Sequence, residues 1–135
     1  MVILDTNVLV HLLFENFTET FSEEVINKAE DWLTPHLTLT EFSNVIVSYY
    51  RNKMITYQQA LDLYTAINMT VENRTVRCNK KRVLEFALES NLSIYDSEFV
   101  TLAKQKETIL ITNDKKIVRN FPEIALTPKQ YLELT

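Results

Sequence analysis

The chain contains no glycine in 135 residues, where average usage would place about nine. Glycine allows a backbone to turn with positive φ or to approach a phosphate closely. Its absence excludes the glycine-rich phosphate loop, the dinucleotide-binding fingerprint and the nucleophile elbow of serine hydrolases, because each of these motifs requires glycine. Any phosphate chemistry in this chain must therefore rely on side chains and ions.

Length and composition bound the class of protein. With 46% apolar and 24% charged residues, the chain is predicted to form a single domain over residues 1–135 that buries a core without disulfides. Cys78 is the only cysteine, which fits a reducing cytosol. No apolar run approaches the ~18 residues of a membrane helix, and no secretory signal is expected at the N-terminus. We therefore expect a cytoplasmic protein with no membrane partner.

Short apolar segments that alternate with helical patterns predict the fold class. Segments typical of strands lie at residues 2–4 (VIL), 35–37, 75–78, 108–112 (TILIT) and 124–126. Helices are predicted to begin near residues 22, 38, 56, 79, 94 and 127, with capping boxes at Thr56 with Gln59 and at Thr127 with Gln130. Short apolar strands separated by helices indicate an α/β protein, with helices on both faces of a short parallel sheet of four or five strands.

The helical periodicity also predicts which side chains face the core. The helix that begins near residue 22 is expected to carry Trp32 and Leu33 on its apolar face. The two helices that begin near residues 79 and 94 are expected to turn Leu84, Leu88 and Tyr95 inward.

Acidic residues follow two of the predicted strands. Asp5 comes directly after the VIL segment, and Asp114 follows the TILIT segment. Parallel α/β sheets bind ligands outside the carboxyl ends of their strands, so adjacent strands would bring both carboxylates to one edge. Glu41 and Asp96 lie at the predicted starts of two helices, and helix starts can share that edge. The chain therefore offers four acids to one site.

Helix capping is the alternative explanation for each acid taken alone, because acids are common at helix starts. The positions that match a cap or a capping box are Asp5, Asp114, Thr38 with Glu41, and Ser93 with Asp96.

Taken together, four carboxylates at one edge require a compensating cation. Unit charges ~4 Å apart repel by roughly 4 kcal/mol at an effective dielectric of 20. Ligands that offer only oxygen suit Mg²⁺ or Mn²⁺. Glu98 lies two residues from Asp96 on the predicted helix, so its side chain is expected to point elsewhere and to serve at best as an accessory acid.

Two basic clusters interrupt an acidic total charge of −4. The first contains Arg74, Arg77, Lys80, Lys81 and Arg82, and the second contains Lys104, Lys106, Lys115, Lys116 and Arg119. Each cluster alone is explained as a solvated face. If the chain binds RNA, the residues expected to contact its phosphates are Lys80, Lys81, Arg82, Lys115 and Lys116.

Four short motifs, LDTNVLV, LTEFSNV, YDSEFVTLA and LITNDKK, together resemble the successive acidic motifs of PIN-domain ribonucleases, especially the VapC-like toxins. The resemblance extends from residue 1 to about residue 121. It implies a PIN-like three-layer fold and a metal-dependent endoribonuclease. The acidic set that it implies is Asp5, Glu41, Asp96 and Asp114, with Asn7 and Thr112 as small polar residues that support this set.

The same resemblance implies cofactors and partners. One or two Mg²⁺ or Mn²⁺ ions would be held by the acidic set, and the substrate would be RNA. VapC-like proteins are held inactive by a small antitoxin and usually form homodimers. The aromatic residues Tyr49, Tyr50 and Tyr57 are candidates for such contacts, or for the core.

Three other functions stay open from the sequence. A PIN endonuclease of RNA processing would share every motif. A small phosphohydrolase would use Asp5 as a nucleophile, although Asn7 stands where such enzymes carry the acid that donates a proton. A binding module with a vestigial site would be expected to lack one of the four acids, and none is missing.

Overall fold

A computed structural model describes residues 1–14 and 21–134. The strands are β1 (Val2–Leu4), β2 (Trp32–Pro35), β3 (Thr75–Val76), β4 (Leu110–Ile111) and β5 (Ala125–Leu126). The helices are α1 (Thr6–Leu13), α2 (Ser22–Ala29), α3 (Leu37–Arg51), α4 (Tyr57–Thr70), α5 (Lys80–Glu89), α6 (Ile94–Gln105), α7 (Lys115–Asn120) and α8 (Pro128–Leu132).

The five strands form one parallel sheet in the order β3-β2-β1-β4-β5. The predicted α/β class and short parallel sheet are therefore confirmed. The chain adds strands to one side of β1 and then, after β3, to the other side. The reversal falls between β1 and β4, where Ile3 pairs with Leu110 and Leu4 with Ile111. In open α/β sheets, a crevice forms at the carboxyl ends of the strands at such a reversal.

Helices cover both faces of the sheet. Val2 and Leu4 of β1 belong to a core that contains Phe42 of α3, whereas Ile3 belongs to a second core that contains Phe99 of α6. Successive side chains of a strand point to opposite faces, so a strand covered on both faces is apolar throughout. This explains the VIL sequence, and the three-layer arrangement is confirmed.

The predicted capping boxes are present. Thr56 accepts a hydrogen bond from the backbone N–H of Gln59, and the Gln59 side chain accepts one from the backbone N–H of Thr56. Thr127 and Gln130 make the same reciprocal pair ahead of α8. These local signals were readable because each depends on residues only three positions apart.

The prediction that Trp32 and Leu33 extend the second helix is wrong. Helix α2 ends at Ala29, Glu30 adopts a φ of 59°, and Trp32 and Leu33 lie in β2. The strand predicted at 35–37 therefore begins earlier, at Trp32. A glycine commonly marks such a helix end, and its absence removed the signal.

Three side chains predicted to face the core are exposed. Leu84 is 50% exposed, Leu88 77% and Tyr95 58%. Helices α5 and α6 pack against each other, and the core on this side is filled by Val83 and Phe99. A helix buries only one stripe of its surface, so apolar residues beyond that stripe remain in solvent.

Residues other than glycine occupy the left-handed and related backbone positions. Positive φ angles occur in the described ranges at Phe21, Glu30, Lys53, Asn73 and Glu107.

Helix α3 ends in a Schellman motif. The N–H of Lys53 donates to the carbonyl of Tyr50 at 3.0 Å, and the N–H of Met54 donates to the carbonyl of Tyr49 at 2.9 Å. Glu107 ends α6 with the same pair of bonds, at 3.2 and 3.0 Å. In both motifs a long charged residue holds the position that glycine prefers.

No helix in the described part of the chain combines the length and apolar character needed to cross a bilayer.

Candidate active site

A cavity of about 370 Å³ opens at the carboxyl ends of β1 and β4, where the strand order reverses. Its lining residues are Asp5, Thr6, Asn7, Val10, Glu41, Asn44, Val45, Asp96 and Asp114. All four acids singled out in the sequence therefore line one opening, which is called the acidic cavity below. They come from the end of β1, from α3, from the first turn of α6 and from the start of α7.

Asp5 is held in the acidic cavity by the neighbouring strand. Its side chain is only 7% exposed. The Thr112 hydroxyl donates to Asp5 Oδ2 at 2.7 Å, and Asn7 Nδ2 donates to the same oxygen at 3.3 Å. The backbone N–H of Asp5 donates to the carbonyl of Ile111 at 3.0 Å. The side chain makes no capping bond to α1, so capping does not explain this carboxylate.

Thr112 and Asn7 link Asp5 to the segment that carries Asp114. Thr112 Oγ1 accepts a hydrogen bond from the backbone N–H of Asp114 at 3.0 Å. Asn7 Oδ1 accepts one from the backbone N–H of Asn113 at 3.0 Å. The structure thus places both small polar residues between the two acids that the resemblance associates with them.

Glu41 is held by a buried chain of threonine hydroxyls. The Thr6 hydroxyl donates to Glu41 Oε1 at 2.7 Å and lies 3.4 Å from the hydroxyl of Thr38. Thr38 in turn bonds to Thr34, whose hydroxyl donates to the carbonyl of Leu4 at 2.9 Å. Helix α3 begins before Thr38 and lacks a side-chain cap, so the capping-box interpretation of Thr38 with Glu41 is wrong.

The sequence interpretation missed Thr6 and Thr34, and it assigned Thr38 to a capping box. Thr6 begins α1 directly after Asp5, Thr34 lies in β2, and Thr38 lies in α3. Only the fold brings these three residues together. The available signal was a threonine within an otherwise apolar segment. A sequence pattern does not show whether the hydroxyl of such a threonine is buried.

Capping does explain part of the role of the other two acids. Asp114 Oδ1 accepts hydrogen bonds from the backbone N–H groups of Lys116 at 2.9 Å and Ile117 at 3.3 Å, so Asp114 caps α7 while it lines the cavity. Asp96 donates its backbone N–H to the Ser93 hydroxyl at 3.1 Å. Ser93 is the cap of α6, and the Asp96 carboxylate is left to the cavity.

Burial and mutual repulsion disfavour the charged forms of three acids. Burial raises the pKa of Asp5 from 3.8 to about 7, and the charges of Glu41 and Asp96 add to the shift, against the hydrogen bond from Thr112. Burial also raises the pKa of Glu41, with contributions from Asp96 and Glu98. The pKa of Asp96 is raised by burial and by Asp114, while Lys116 opposes the shift. A bound cation would therefore stabilise the ionised carboxylates of the acidic cavity.

The donor set fits a divalent metal ion in its chemistry. Within residues 1–14 and 21–134, no three histidine, cysteine, aspartate or glutamate side chains meet at the spacing of a metal-binding group. The acids of the cavity nevertheless offer only oxygen, which suits Mg²⁺ or Mn²⁺. A buried carboxylate with a raised pKa is also what a site built around a missing positive charge should show.

Glu98 is buried outside the lining of the acidic cavity and is paired with Lys80. It is 7% exposed, does not line the cavity and accepts a hydrogen bond from Lys80 Nζ at 3.1 Å. Its charge still acts on Glu41. Lys80, one of the residues expected to contact RNA, is therefore already engaged with an acid of the protein.

The other basic residues singled out for RNA are exposed and fall into two places. Lys115 and Lys116 open α7 beside Asp114, and the charge of Lys116 acts on Asp96. Lys81 and Arg82 line a separate opening between α5 and α6.

A sequence profile of the PIN domain matches residues 2–122, which is most of the chain. This chain belongs to the PIN domain family. The resemblance seen in the four acidic motifs is thus confirmed at the level of the family. Membership in the PIN domain family supports a nuclease function.

Solved structures share the PIN fold of this chain at low sequence identity. A toxin–antitoxin complex from Klebsiella pneumoniae matches with a TM-score of 0.69 and 17% identity, over 95% of this chain and 98% of the other. PAE2754 from Pyrobaculum aerophilum matches with a TM-score of 0.72 and 19% identity, over 97% and 85%. FitAcB from Neisseria gonorrhoeae matches with a TM-score of 0.71 and 15% identity, over 96% and 99%. A comparison with curated protein sequences finds no match.

Proposed function

We propose that this PIN domain protein is a metal-dependent endoribonuclease that hydrolyses phosphodiester bonds of RNA. The observation that carries the proposal is the meeting of four acids, from four separate segments, around one cavity at the sheet reversal. Raised pKa values at Asp5, Glu41 and Asp96 support a cation as the missing component.

Asp5, Asp96 and Asp114, with Glu41, would hold one or two Mg²⁺ or Mn²⁺ ions. Such an ion supplies an activated water and neutralises charge on the phosphate. The chain's own contribution is to fix its carboxylates: Thr112, which directly follows β4, fixes Asp5, and the Asp114 backbone fixes Thr112. Ligands placed on rigid elements keep their geometry better than ligands on loops.

Glu41 has a separate means of orientation. The Thr6 hydroxyl donates to one of its oxygens, which leaves the other oxygen for a water or an ion. Thr6 is itself buried at 6% exposure. We infer that Glu41 orients the attacking water, since a carboxylate held on one oxygen presents the second in a fixed direction.

RNA would approach the acidic cavity from the side on which exposed lysines lie. Lys115 and Lys116 are exposed beside Asp114, and we propose that they contact the phosphates that flank the cleaved bond. Lys81 and Arg82 at the start of α5 are proposed as further contacts, and Lys80 is proposed as one that would exchange its ion pair with Glu98 for a phosphate. Local basic residues can bind phosphates despite an acidic total, because screening limits charge effects to about 8–10 Å at physiological salt.

The biological setting that we propose is a toxin–antitoxin pair in the cytoplasm, with a small antitoxin protein as partner and a homodimer as the assembly. One structural neighbour is a toxin–antitoxin complex, from Klebsiella pneumoniae, and this supports an antitoxin as the partner. Tyr50 and Tyr57 are 45% and 64% exposed and so are available to a partner, whereas Tyr49 packs on Phe14 with the ring centroids 4.5 Å apart. A role in RNA processing would use the same site.

Geometry disfavours Asp5 as the nucleophile of a phosphohydrolase. Its Oδ2 already accepts two hydrogen bonds, from Thr112 and Asn7. In the absence of a metal ion, burial also raises its pKa to about 7, which disfavours the ionised carboxylate that a nucleophile requires.

The proposal is tested with purified protein, an end-labelled single-stranded RNA and Mg²⁺ or Mn²⁺. We expect products with 5′-phosphate and 3′-hydroxyl ends, and no cleavage in EDTA. Asp5→Asn and Asp96→Asn should lose at least about a hundredfold in rate, because mutation of residues that merely support metal ligands already costs about 10–100-fold. Asp62→Asn, a change at an exposed acid of α4, should keep the parental rate. Cleavage that persists in EDTA, or equally in Asp5→Asn, would contradict the proposal.

A further inference from the structure

A second groove continues from the acidic cavity along α3. It encloses about 530 Å³ and shares Glu41 and Asn44 with the acidic cavity. Its remaining wall residues are Leu37, Thr40, Ser43, Val47 and Tyr95. This opening is called the α3 groove below. A ligand that occupies both openings would place one part at the acids and an adjoining part in the α3 groove.

The α3 groove combines an apolar surface with polar edges. Leu37 and Val47 supply the apolar part, and Tyr95 adds an aromatic ring that is 58% exposed. Asn44 is exposed and offers both a donor and an acceptor. The Ser43 hydroxyl donates to the carbonyl of Leu39 at 2.7 Å, which leaves its oxygen free to accept. A flat ring with polar edges matches this combination.

Tyr95 is placed by its position next to Asp96. The two residues are consecutive in the first turn of α6, yet Asp96 lines the acidic cavity and Tyr95 lines the α3 groove. Consecutive side chains of a helix point about 100° apart. One turn of α6 therefore presents an acid to one opening and an aromatic ring to the next.

We propose that the α3 groove binds an unpaired RNA base, stacked on Tyr95, from a nucleotide next to the cleaved phosphodiester. This inference rests on the proposed ribonuclease function. Sequence-tolerant binding of single-stranded RNA commonly relies on bases stacked on exposed aromatic side chains. The phosphate and base of one nucleotide are covalently joined, and the acidic cavity and the α3 groove adjoin in a corresponding way through Glu41 and Asn44.

Comparison with a neighbouring groove supports a base site next to the acids and not elsewhere on α3. That groove, between α3 and α4, is lined largely by apolar residues that include Ile46, Tyr50 and Leu61, and it shares no residue with the acidic cavity. It lacks the acids that would hold the attached phosphate group. Unlike that groove, the α3 groove adjoins the acids and also presents an aromatic ring, that of Tyr95.

The first test compares steady-state cleavage of a single-stranded RNA by the parent, Tyr95→Leu and Tyr95→Phe. Loss of stacking in Tyr95→Leu should raise KM by about tenfold, within the range known for base–aromatic stacking, and leave kcat close to the parental value. Tyr95→Phe keeps the ring and should restore the parental KM. Tyr64→Leu removes a tyrosine that is 43% exposed on α4, outside both openings, and should match the parent.

The second test asks whether Tyr95 and one particular base act together. A set of RNAs carries a single abasic nucleotide at successive positions around the cleavage point. The parent should lose about tenfold in kcat/KM at one position beside that point, and Tyr95→Leu should lose little more at that position than it has already lost. Coupling between the two deletions is the sign of a direct contact.

Two outcomes overturn the inference and are distinguishable from each other. If the parent cleaves RNA and Tyr95→Leu keeps the parental KM, or shows the full abasic penalty, the base site is wrong and the groove is left for a helix of a protein partner. If the parent cleaves no RNA under any metal condition, the proposed function fails and the base site fails with it. Because Tyr95 is exposed, thermal melting of each variant should match the parent.

Discussion

Asp5 is a carboxylate in a position where its charge is costly. Its pKa in the folded protein is raised to about 7 from 3.8, first by burial and then by Glu41 and Asp96. Between these two values the folded state retains a proton that the unfolded state has released. Protonation therefore stabilises the metal-free protein at low pH, and this stabilisation is lost as the pH rises through about 7.

We expect the metal-free parent to lose on the order of 2 kcal/mol of unfolding free energy between pH 5 and pH 8, from Asp5 alone. Asn cannot ionise, so Asp5→Asn should show a smaller loss and should be more stable than the parent at pH 8. Urea unfolding in EDTA at the two pH values measures both quantities. Glu123→Gln, at an exposed acid, should follow the parent, and an Asp5→Asn profile as steep as the parental one would refute the assignment of the shift to Asp5.

The acids of the cavity were accessible to sequence reasoning, whereas the hydroxyls that orient Glu41 were not. Asp5 and Asp114 follow apolar strands, and a carboxylate in that position is unusual enough to be noticed. Thr6 and Thr38 carry no such signal, because threonine is common in strands and at helix starts. They gain a role only when β1, β2 and α3 meet, which depends on contacts between residues more than 30 positions apart.

At the scale of single elements, the helix ends show how a chain without glycine manages its turns. Lys53 and Glu107 adopt φ angles of 59° and 51° in Schellman motifs. A left-handed backbone at a residue with a Cβ costs roughly 1–2 kcal/mol. The two motifs are therefore sites at which the fold tolerates local strain.

Glycine at these positions should stabilise the protein. We expect Lys53→Gly and Glu107→Gly each to raise the unfolding free energy by about 0.5–1 kcal/mol, because relief of strain outweighs the greater freedom of glycine in the unfolded chain. Denaturant unfolding measures the change. Asn52→Gly is the matched control: Asn52 has a φ of −89°, so glycine there should bring no gain. Equal effects at Asn52 and Lys53 would contradict this account.

The absence of glycine also explains which helix boundaries were predicted correctly from the sequence. Capping boxes at Thr56 and Thr127 depend on side chains and were found at their predicted positions. The end of α2 depends on the backbone of Glu30, and glutamate is otherwise a good helix former. Apolar periodicity therefore continued through Trp32, and the boundary between α2 and β2 was misplaced.

At the scale of the whole molecule, a divalent ion would connect four segments that are distant in the chain, at residues 5, 41, 96 and 114. Binding to the folded state alone stabilises a protein by about 2.7 kcal/mol when the ligand is at a hundred times its dissociation constant. Ion binding and folding should therefore be coupled.

We expect Mg²⁺ or Mn²⁺ to raise the melting temperature of the parent in proportion to the logarithm of the ion concentration above the dissociation constant. Asp5→Asn and Glu41→Gln should respond much less, because each removes an oxygen charge from the acidic cavity. Thermal melting across an ion titration at pH 7.5 provides the measurement, with Asp62→Asn as a control that should respond as the parent does. Identical responses of all four proteins would show that the ions bind outside the cavity.

The central place of β1 in the sheet has a consequence for synthesis on the ribosome. Ile3 pairs with Leu110, and Asp5 is bonded to Thr112, which lies 107 positions later. At about 5–20 residues per second, a translating ribosome needs roughly 5–20 s to make that partner after Asp5 has been added. Throughout this interval the nascent chain lacks β4 and Asp114, and so lacks the complete acidic cavity. A ribosome making this protein is therefore not exposed to the proposed activity of its own nascent chain until residue 114 has been added, and a translation product that stops before residue 110 should carry no nuclease activity.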